Sequence, residues 1–143
     1  MVVVAAVDRT ARGPPTVEAA GRIAAAFGEP VRVVHVLTRK QFVDLERTSV
    51  SETGTTVPRE QVVEIATEIA TETIEETDVD AEPVGLVGDP ATEIVAYADR
   101  EDASYLVVSG RKRSPVGKAL FGSVTQEVLL EATCPVVTIR TED

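Results

Sequence analysis

Residues 109–123 read SGRKRSPVGKALFGS, and their side-chain chemistry differs from that of the rest of the chain. The protein has 24 Asp and Glu against 14 Lys and Arg. Arg111, Lys112, Arg113 and Lys118 nevertheless crowd into this stretch, and no acid occurs from Ala103 to Gln126. Two glycines, Gly110 and Gly122, frame it, and the hydroxyl residues Ser123 and Thr125 follow. Helix-opening amides lack internal partners and carry a partial positive charge, so a glycine that brings them close to an anion makes a phosphate site. Hydroxyls add donors, and the neighbouring cations raise the local potential.

Other readings of the same residues stand beside that one. Ser123 with Gln126 fits a capping box, which explains the serine by helix stability alone. Gly110 and Gly122 can serve turns, and a basic tripeptide can be a solvated loop. The stretch is not a Walker loop, because Gly117-Lys118 is followed by Ala119 and preceded five residues earlier by Lys112 rather than glycine. No GxGxxG follows the first apolar run. A nucleic-acid patch is disfavoured: four cations oppose a net charge of −10, and RKRSPVGK holds no aromatic residue for base stacking.

The elements that must position this loop follow from periodicity. Val2–Val7 is an unbroken apolar run, as in a strand buried on both faces, and Asp8 closes it. After RTARGPP, Thr16 is expected to cap a helix carrying Ala20, Ile23, Ala24 and Phe27, which ends at Gly28. VRVVHVL at 31–37 is a second strand. Residues 38–57 show no periodicity and hold TSVSETGTTV, so a loop is expected there. Pro58 opens a helix with Val62, Ile65, Ala66 and Ile69 on one face. Glu82–Val87 is a third strand. Asp89 and Pro90 are a cap and a first helical residue, ahead of Ala91, Ile94, Val95 and Ala98. Tyr105–Ser109 and Pro135–Arg140 are the last two strands, with a helix over about Ser123–Ala132 between them. Strand and helix alternate throughout, which predicts an α/β fold in one doubly wound domain spanning 1–143. Its sheet is parallel with helices on both faces, and it binds ligands beyond the carboxyl ends of the strands.

Composition narrows the class. A chain of 143 residues with 43% hydrophobic content can bury a real core. No apolar run is long enough to span a membrane. No basic region precedes the first apolar run, so a signal peptide is not expected and a cytoplasmic location is. The one cysteine, Cys134, permits no internal disulfide. The charge argues against general affinity for nucleic acid or anionic membranes. The excess of Arg over Lys and the dispersed glutamates fit a halophilic, high-salt host or an ordinary acidic protein equally.

The assembled pattern resembles the universal stress protein family nearly end to end, through AAVD at 5–8, HV at 35–36, VGDP at 87–90, VVSG at 107–110, FGSVTQEVL at 121–129 and CPVV at 134–137. The resemblance implies a five-stranded parallel sheet in the order 3-2-1-4-5. It also implies a small stress-response or regulatory protein, often a homodimer, some members of which bind ATP. ATP-binding members carry Gly-x2-Gly-x9-Gly followed by Ser or Thr. Gly110, Gly122 and Ser123 match its first glycine, last glycine and hydroxyl, and would hold ribose and phosphates with Val124 and Thr125. Asp8 sits at the family's first-strand aspartate facing the nucleotide, and Val36 where the family lines the adenine pocket. Arg113 replaces the second glycine, and eleven residues rather than twelve separate Gly110 from Gly122. Arg111 or Arg113 would then contact phosphates through side chains, with Gly117 restoring the turn. Mg²⁺ would enter only with the nucleotide.

Three further residues invite chemistry. His35, the only histidine, lies mid-strand and reads as a packed, hydrogen-bonded residue rather than a base; no metal cluster accompanies it. Asp89 is explained as a cap. Cys134 reads as packed. In the implied strand order, residues 135–140 form an edge strand, and pairing with a second copy would remove its unpaired groups. Two functions compete: a nucleotide-binding regulatory protein with at most slow hydrolysis, and a nucleotide-free dimer whose basic loop engages an acidic protein partner. An enzyme lacks a nucleophile-and-base pair.

Overall fold

The structure is a computed structural model describing residues 1–54, 58–111 and 121–141. Its centre is β1 (Val2–Ala6), in which every residue is buried. Strand β2 (Val31–Leu37) pairs with it on one side and β4 (Ala103–Arg111) on the other. Outside these lie β3 (Ala81–Val87), paired with β2, and β5 (Val136–Thr141), paired with β4. All pairs are parallel and the order is β3-β2-β1-β4-β5, the α/β architecture the sequence implied.

Parallel strands require crossovers, and the helices supply them on both faces. Helices α1 (Gly13–Phe27) and α3 (Arg59–Glu75) cover one face, where Val3, Ala5, Val7, Val17, Ala20, Val33, Ala70 and Val107 pack together. On the other face α4 (Pro90–Arg100) and α5 (Ser123–Glu131) enclose Val4, Ala6, Val34, Val36, Ile94, Leu106, Val108 and Val128. Alternate residues of β1 thus feed two separate cores, which is why its sequence is apolar without interruption. None of the helices among the described residues is long and apolar enough to cross a membrane.

Helix boundaries follow local chemistry, with two corrections. Gly28 ends α1 in the left-handed conformation (φ 67°), its N–H bonded to the Ala24 carbonyl, as expected. Asp89 caps α4 by accepting the Thr92 N–H, ahead of Pro90. Thr16, however, does not cap α1. The helix starts three residues earlier with Pro14 and Pro15 in its first turn, and the Thr16 hydroxyl donates to the Arg12 carbonyl at 2.8 Å. Prolines suit a first turn because the N–H they lack would have no partner there.

The second correction concerns residues 38–57. Instead of a loop, a helix, α2, runs over Arg39–Thr53. Its start is a capping box: Gln41 N–H donates to the Thr38 hydroxyl at 3.1 Å, and the Gln41 side chain accepts the Thr38 N–H at 2.8 Å. Phe42 and Leu45 pack inward, against the patch made by Leu37, Val62, Ala66 and Val87. Two apolar anchors in a polar helix leave almost no periodic trace, so the start signal was the legible part. The chain order therefore gains one helix over strict alternation. Residues 55–57 of the expected loop lie outside the described residues.

Both sheet edges carry a distinct character. Edge strand β3 contains Pro83, which cannot donate to a ladder and is tolerated where one side is unpaired. Gly85 in the same strand lies directly under α3: a Cβ there would stand 2.4 Å from the Val63 carbonyl and 2.5 Å from the Thr67 amide. Backbone, not a movable side chain, blocks the space. Gly85→Ala should therefore lift α3 from the sheet and cost about 3 kcal/mol or more, beyond ordinary overpacking. Urea denaturation would check this, and a midpoint within experimental scatter of wild type would contradict the packing described.

Candidate functional site

The chain winds outward from β1 to β3, then returns to place β4 and β5 on the other side. The strand order thus reverses beside β1, and in open parallel sheets the crevice beyond the carboxyl ends at that point is where ligands bind. A cavity of about 350 Å³ lies there, within the range of small-molecule sites. Ala6, Val36, Ile94 and Val108 give it an apolar floor. Its polar rim comes from Asp8 and Arg12 after β1, Thr38 and Gln41 after β2, and Ser123 to Thr125 at the start of α5.

Of the residues singled out from the sequence, Asp8, His35, Val36, Gly122, Ser123, Val124 and Thr125 converge on this cavity. Gly122 is the N-cap of α5, in extended conformation (φ −65°, ψ 165°), and among the described residues no side chain caps the helix. Its first amides therefore have no intrahelical partner. This overturns the expected capping box: Ser123 is the first helical residue, not the cap. The Gln126 side chain donates to the Phe121 carbonyl at 2.8 Å, while the Gln126 N–H bonds to the Gly122 carbonyl at 3.0 Å. Thr125 is buried, and its hydroxyl donates to the Ser109 carbonyl at 2.9 Å, so it pins α5 to the end of β4 and offers only its backbone to a ligand.

The two glycines have different reasons. A Cβ on Gly110 would meet the Phe121 ring at 2.4 Å, so this glycine lets Phe121 lie across the end of β4. It does not line the cavity. Among the described residues, a Cβ on Gly122 would meet nothing within 4 Å, and its φ is one that any residue adopts. Neither backbone strain nor packing against the described residues explains Gly122. Arg111 is the last residue of β4. Arg113, the other arginine expected to reach phosphates, lies outside the described residues, as do Lys112, Gly117 and Lys118.

Arg12, Thr38 and Gln41 are among the lining residues that were not anticipated. Arg12 joins its guanidinium to the Asp8 carboxylate at 3.1 Å, and Asp8 also accepts the Thr10 N–H at 3.1 Å and the Thr10 hydroxyl. Thr38 and Gln41 arrive through the capping box of α2. The TRKQ spacing could have flagged the latter pair; nothing in the sequence marks Arg12, whose role depends on how the turn after β1 folds back.

His35 is buried, and its Nδ1 donates to the Val7 carbonyl at 2.9 Å, as expected of a packed strand residue. Burial lowers its pKa below the ordinary 6.5, with the Val7 hydrogen bond and the Asp8 charge opposing only in part. Cys134 is half-buried against the α4–α5 core, and burial raises its thiol pKa, which disfavours the nucleophilic thiolate. No group of three or more His, Cys, Asp or Glu among the described residues could hold a metal ion.

A five-stranded doubly wound sheet with a partly apolar crevice at its switch point, lined by the first residues of α5 and of other helices, defines an α/β protein of the doubly wound class, the class in which ligands bind at such switch points. The model of the universal stress protein family matches residues 1–140, and the chain belongs to that family. A universal stress protein of Mycolicibacterium smegmatis is 44% identical over 59 residues, 41% of this chain and 44% of that one. Universal stress protein YxiE of Bacillus subtilis is 32% identical over 105 residues, 73% of this chain; the match spans 65% of that relative's length. Among solved structures, the universal stress protein from Archaeoglobus fulgidus is 30% identical with a TM-score of 0.65, covering 97% of this chain and 98% of that one. A second structure of an Archaeoglobus fulgidus universal stress protein is in complex with dAMP (29% identity, TM-score 0.62, covering 97% of each chain).

The lowered pKa of His35 has a consequence for stability. Unfolding returns the ring to its ordinary value, so between 6.5 and the lower folded value the unfolded chain binds more protons. Stability is then full above 6.5 and falls as pH drops below it. Because His35 is the only histidine, acid-side loss between about pH 6.5 and pH 5 belongs chiefly to this residue. Chemical denaturation across that window should show a decline that His35→Gln flattens; equal slopes in both proteins would contradict the burial of a neutral ring.

Proposed function

We propose that this protein is a stress-response or regulatory protein that binds an adenine nucleotide in the crevice, with ATP as the ligand to test first. The observation that carries the reading is the uncapped N-terminus of α5. Its amides open onto the cavity behind Gly122, where among the described residues the missing Cβ serves neither packing nor backbone conformation. Close approach of a ligand's phosphates to these amides would give that glycine a reason. The apolar floor with Val36, Ile94 and Val108 suits a planar base, and Asp8 lies at the rim for a ribose or base donor. The dAMP complex of an Archaeoglobus fulgidus universal stress protein supports the same reading.

In this mechanism the chain's residues bind and orient. The amides of Ser123, Val124 and Thr125 and the Ser123 hydroxyl would hold phosphate oxygens, and Thr125 keeps the helix start in place through Ser109. Mg²⁺ would arrive with the phosphates. Hydrolysis is expected to be slow, because Asp8, the one carboxylate among the described residues lining the cavity, is already engaged by Thr10 and Arg12. We propose further that β5, at the sheet edge, pairs with a second copy, since among the described strands it is bonded only to β4. Elution as a monomer at micromolar concentration would contradict that pairing.

Calorimetric titration with Mg-ATP, with GTP as control and at both low and molar KCl, tests the ligand. One ATP per chain is expected. Gly122→Ala should change stability by about 1 kcal/mol or less, the range of N-cap substitutions, yet weaken ATP binding about tenfold or more by placing a methyl between phosphate and amides. Ser123→Ala should weaken binding less, with stability near wild type because its hydroxyl caps nothing. Absence of nucleotide binding in either salt, by folded protein, would overturn the reading.

A further inference from the structure

The crevice carries an electrostatic problem. The chain has a net charge of −10, and Asp8 places a carboxylate at the rim of the cavity where a nucleotide's phosphates must also be accommodated. A unit charge several ångströms from a phosphate, in the effective dielectric of a partly buried site, opposes binding substantially. Arg12 is the one Lys or Arg among the described residues lining the cavity, and its Nη2 stands 3.1 Å from Asp8 Oδ2.

The backbone of Arg12 is held in place by its surroundings. Its N–H donates to the Thr10 hydroxyl at 3.2 Å, and that hydroxyl in turn donates to Asp8. Its carbonyl accepts the Thr16 hydroxyl, fixing it as the N-cap of α1. Its side chain is 17% exposed, against 49% for Asp8, so the cation is the more sheltered of the two. Helix stability does not call for it. A cation at a helix N-terminus opposes the macrodipole, and the first turn of α1 holds no acid to compensate. The Asp8 carboxylate offsets that local cost.

Resting on the nucleotide reading, we infer that Arg12 is a charge-compensating positioning residue: by neutralising Asp8 it lets the crevice accept a phosphate-bearing nucleoside in preference to the neutral nucleoside. Asp8 is thereby kept available for the ligand's uncharged donors without repelling its phosphates. Selectivity for AMP and ATP over adenosine then depends on the pair, not on Arg12 in isolation.

The test is a double-mutant cycle read as the ratio of adenosine to AMP dissociation constants, with ATP in parallel. Arg12→Met should lower that ratio about 10- to 30-fold, the effect of one uncompensated charge nearby, while leaving adenosine affinity within about threefold. Asp8→Asn with Arg12 kept should raise the ratio, and Asp8→Asn combined with Arg12→Met should return it to within about threefold of wild type, because the two opposite charges act on the phosphate additively. Arg12→Lys, which keeps the charge, should stay near wild type and serves if the methionine variant does not fold, as judged by circular dichroism. Equal loss of adenosine and AMP binding would make Arg12 a packing residue and overturn the inference. So would a double variant, Asp8→Asn with Arg12→Met, whose ratio stays as low as that of Arg12→Met alone, or a lysine variant that behaves like methionine. Wild-type protein that binds none of the three ligands would overturn the nucleotide reading itself, and this inference with it.

Discussion

The backbone of β1 is buried on both faces, so its polar groups can be satisfied only by strands on both edges. That requirement organises the molecule. Val3 to Ala6 pair with Val31 to Val34 on one side, and Val3 to Ala5 with Tyr105 to Val107 on the other. Since all three strands run the same way, each connection must cross a face and carry a helix. The last residues of β1 have neighbours whose connections leave in opposite directions, and a cleft opens between them. The crevice is a by-product of how a central parallel strand is paired.

What fills that cleft is decided at strand ends, where side chains leave the core. Val36 and Val108 still belong to the apolar layer and form its floor. Two residues beyond β1 the chain turns polar, and Asp8, Thr10 and Arg12 lock that turn through one another. At the far side, Phe121 lies over Gly110 and the Thr125 hydroxyl holds Ser109, so α5 begins at a fixed place with its amides toward the cleft. The site thus owes its shape to packing contacts that never touch its contents.

The charge pattern fits this arrangement. A strongly acidic surface keeps the protein soluble and repels anions at long range. The nucleotide binding proposed for this acidic protein would therefore rely on local devices that work at short distance: oriented amides and a carboxylate paired with Arg12. Screening within about 8–10 Å at physiological salt makes the surface charge a weak influence inside the cleft.

The sequence by itself determined the α/β class, every strand, and most helices, because uninterrupted apolar runs and helical stripes record burial directly. Asp89-Pro90 and Gly28 announced their helix ends through local backbone chemistry, which needs no distant partner. Asp8 and the residues from Gly122 to Thr125 were legible because they sit just past a strand end or at a helix start, whereas Val36, inside β2, was reached only through the family resemblance. Tertiary structure alone decided the rest. Helix α2 is held by two side chains against a patch built from β2, β3 and α3, so its own sequence is nearly silent. Gly110 and Gly122 look alike in the sequence, and only the position of Phe121 separates a packing glycine from one with open space. Arg12 pairs with Asp8 four residues earlier through a local turn, but only the converging strand ends make that turn one wall of a cavity.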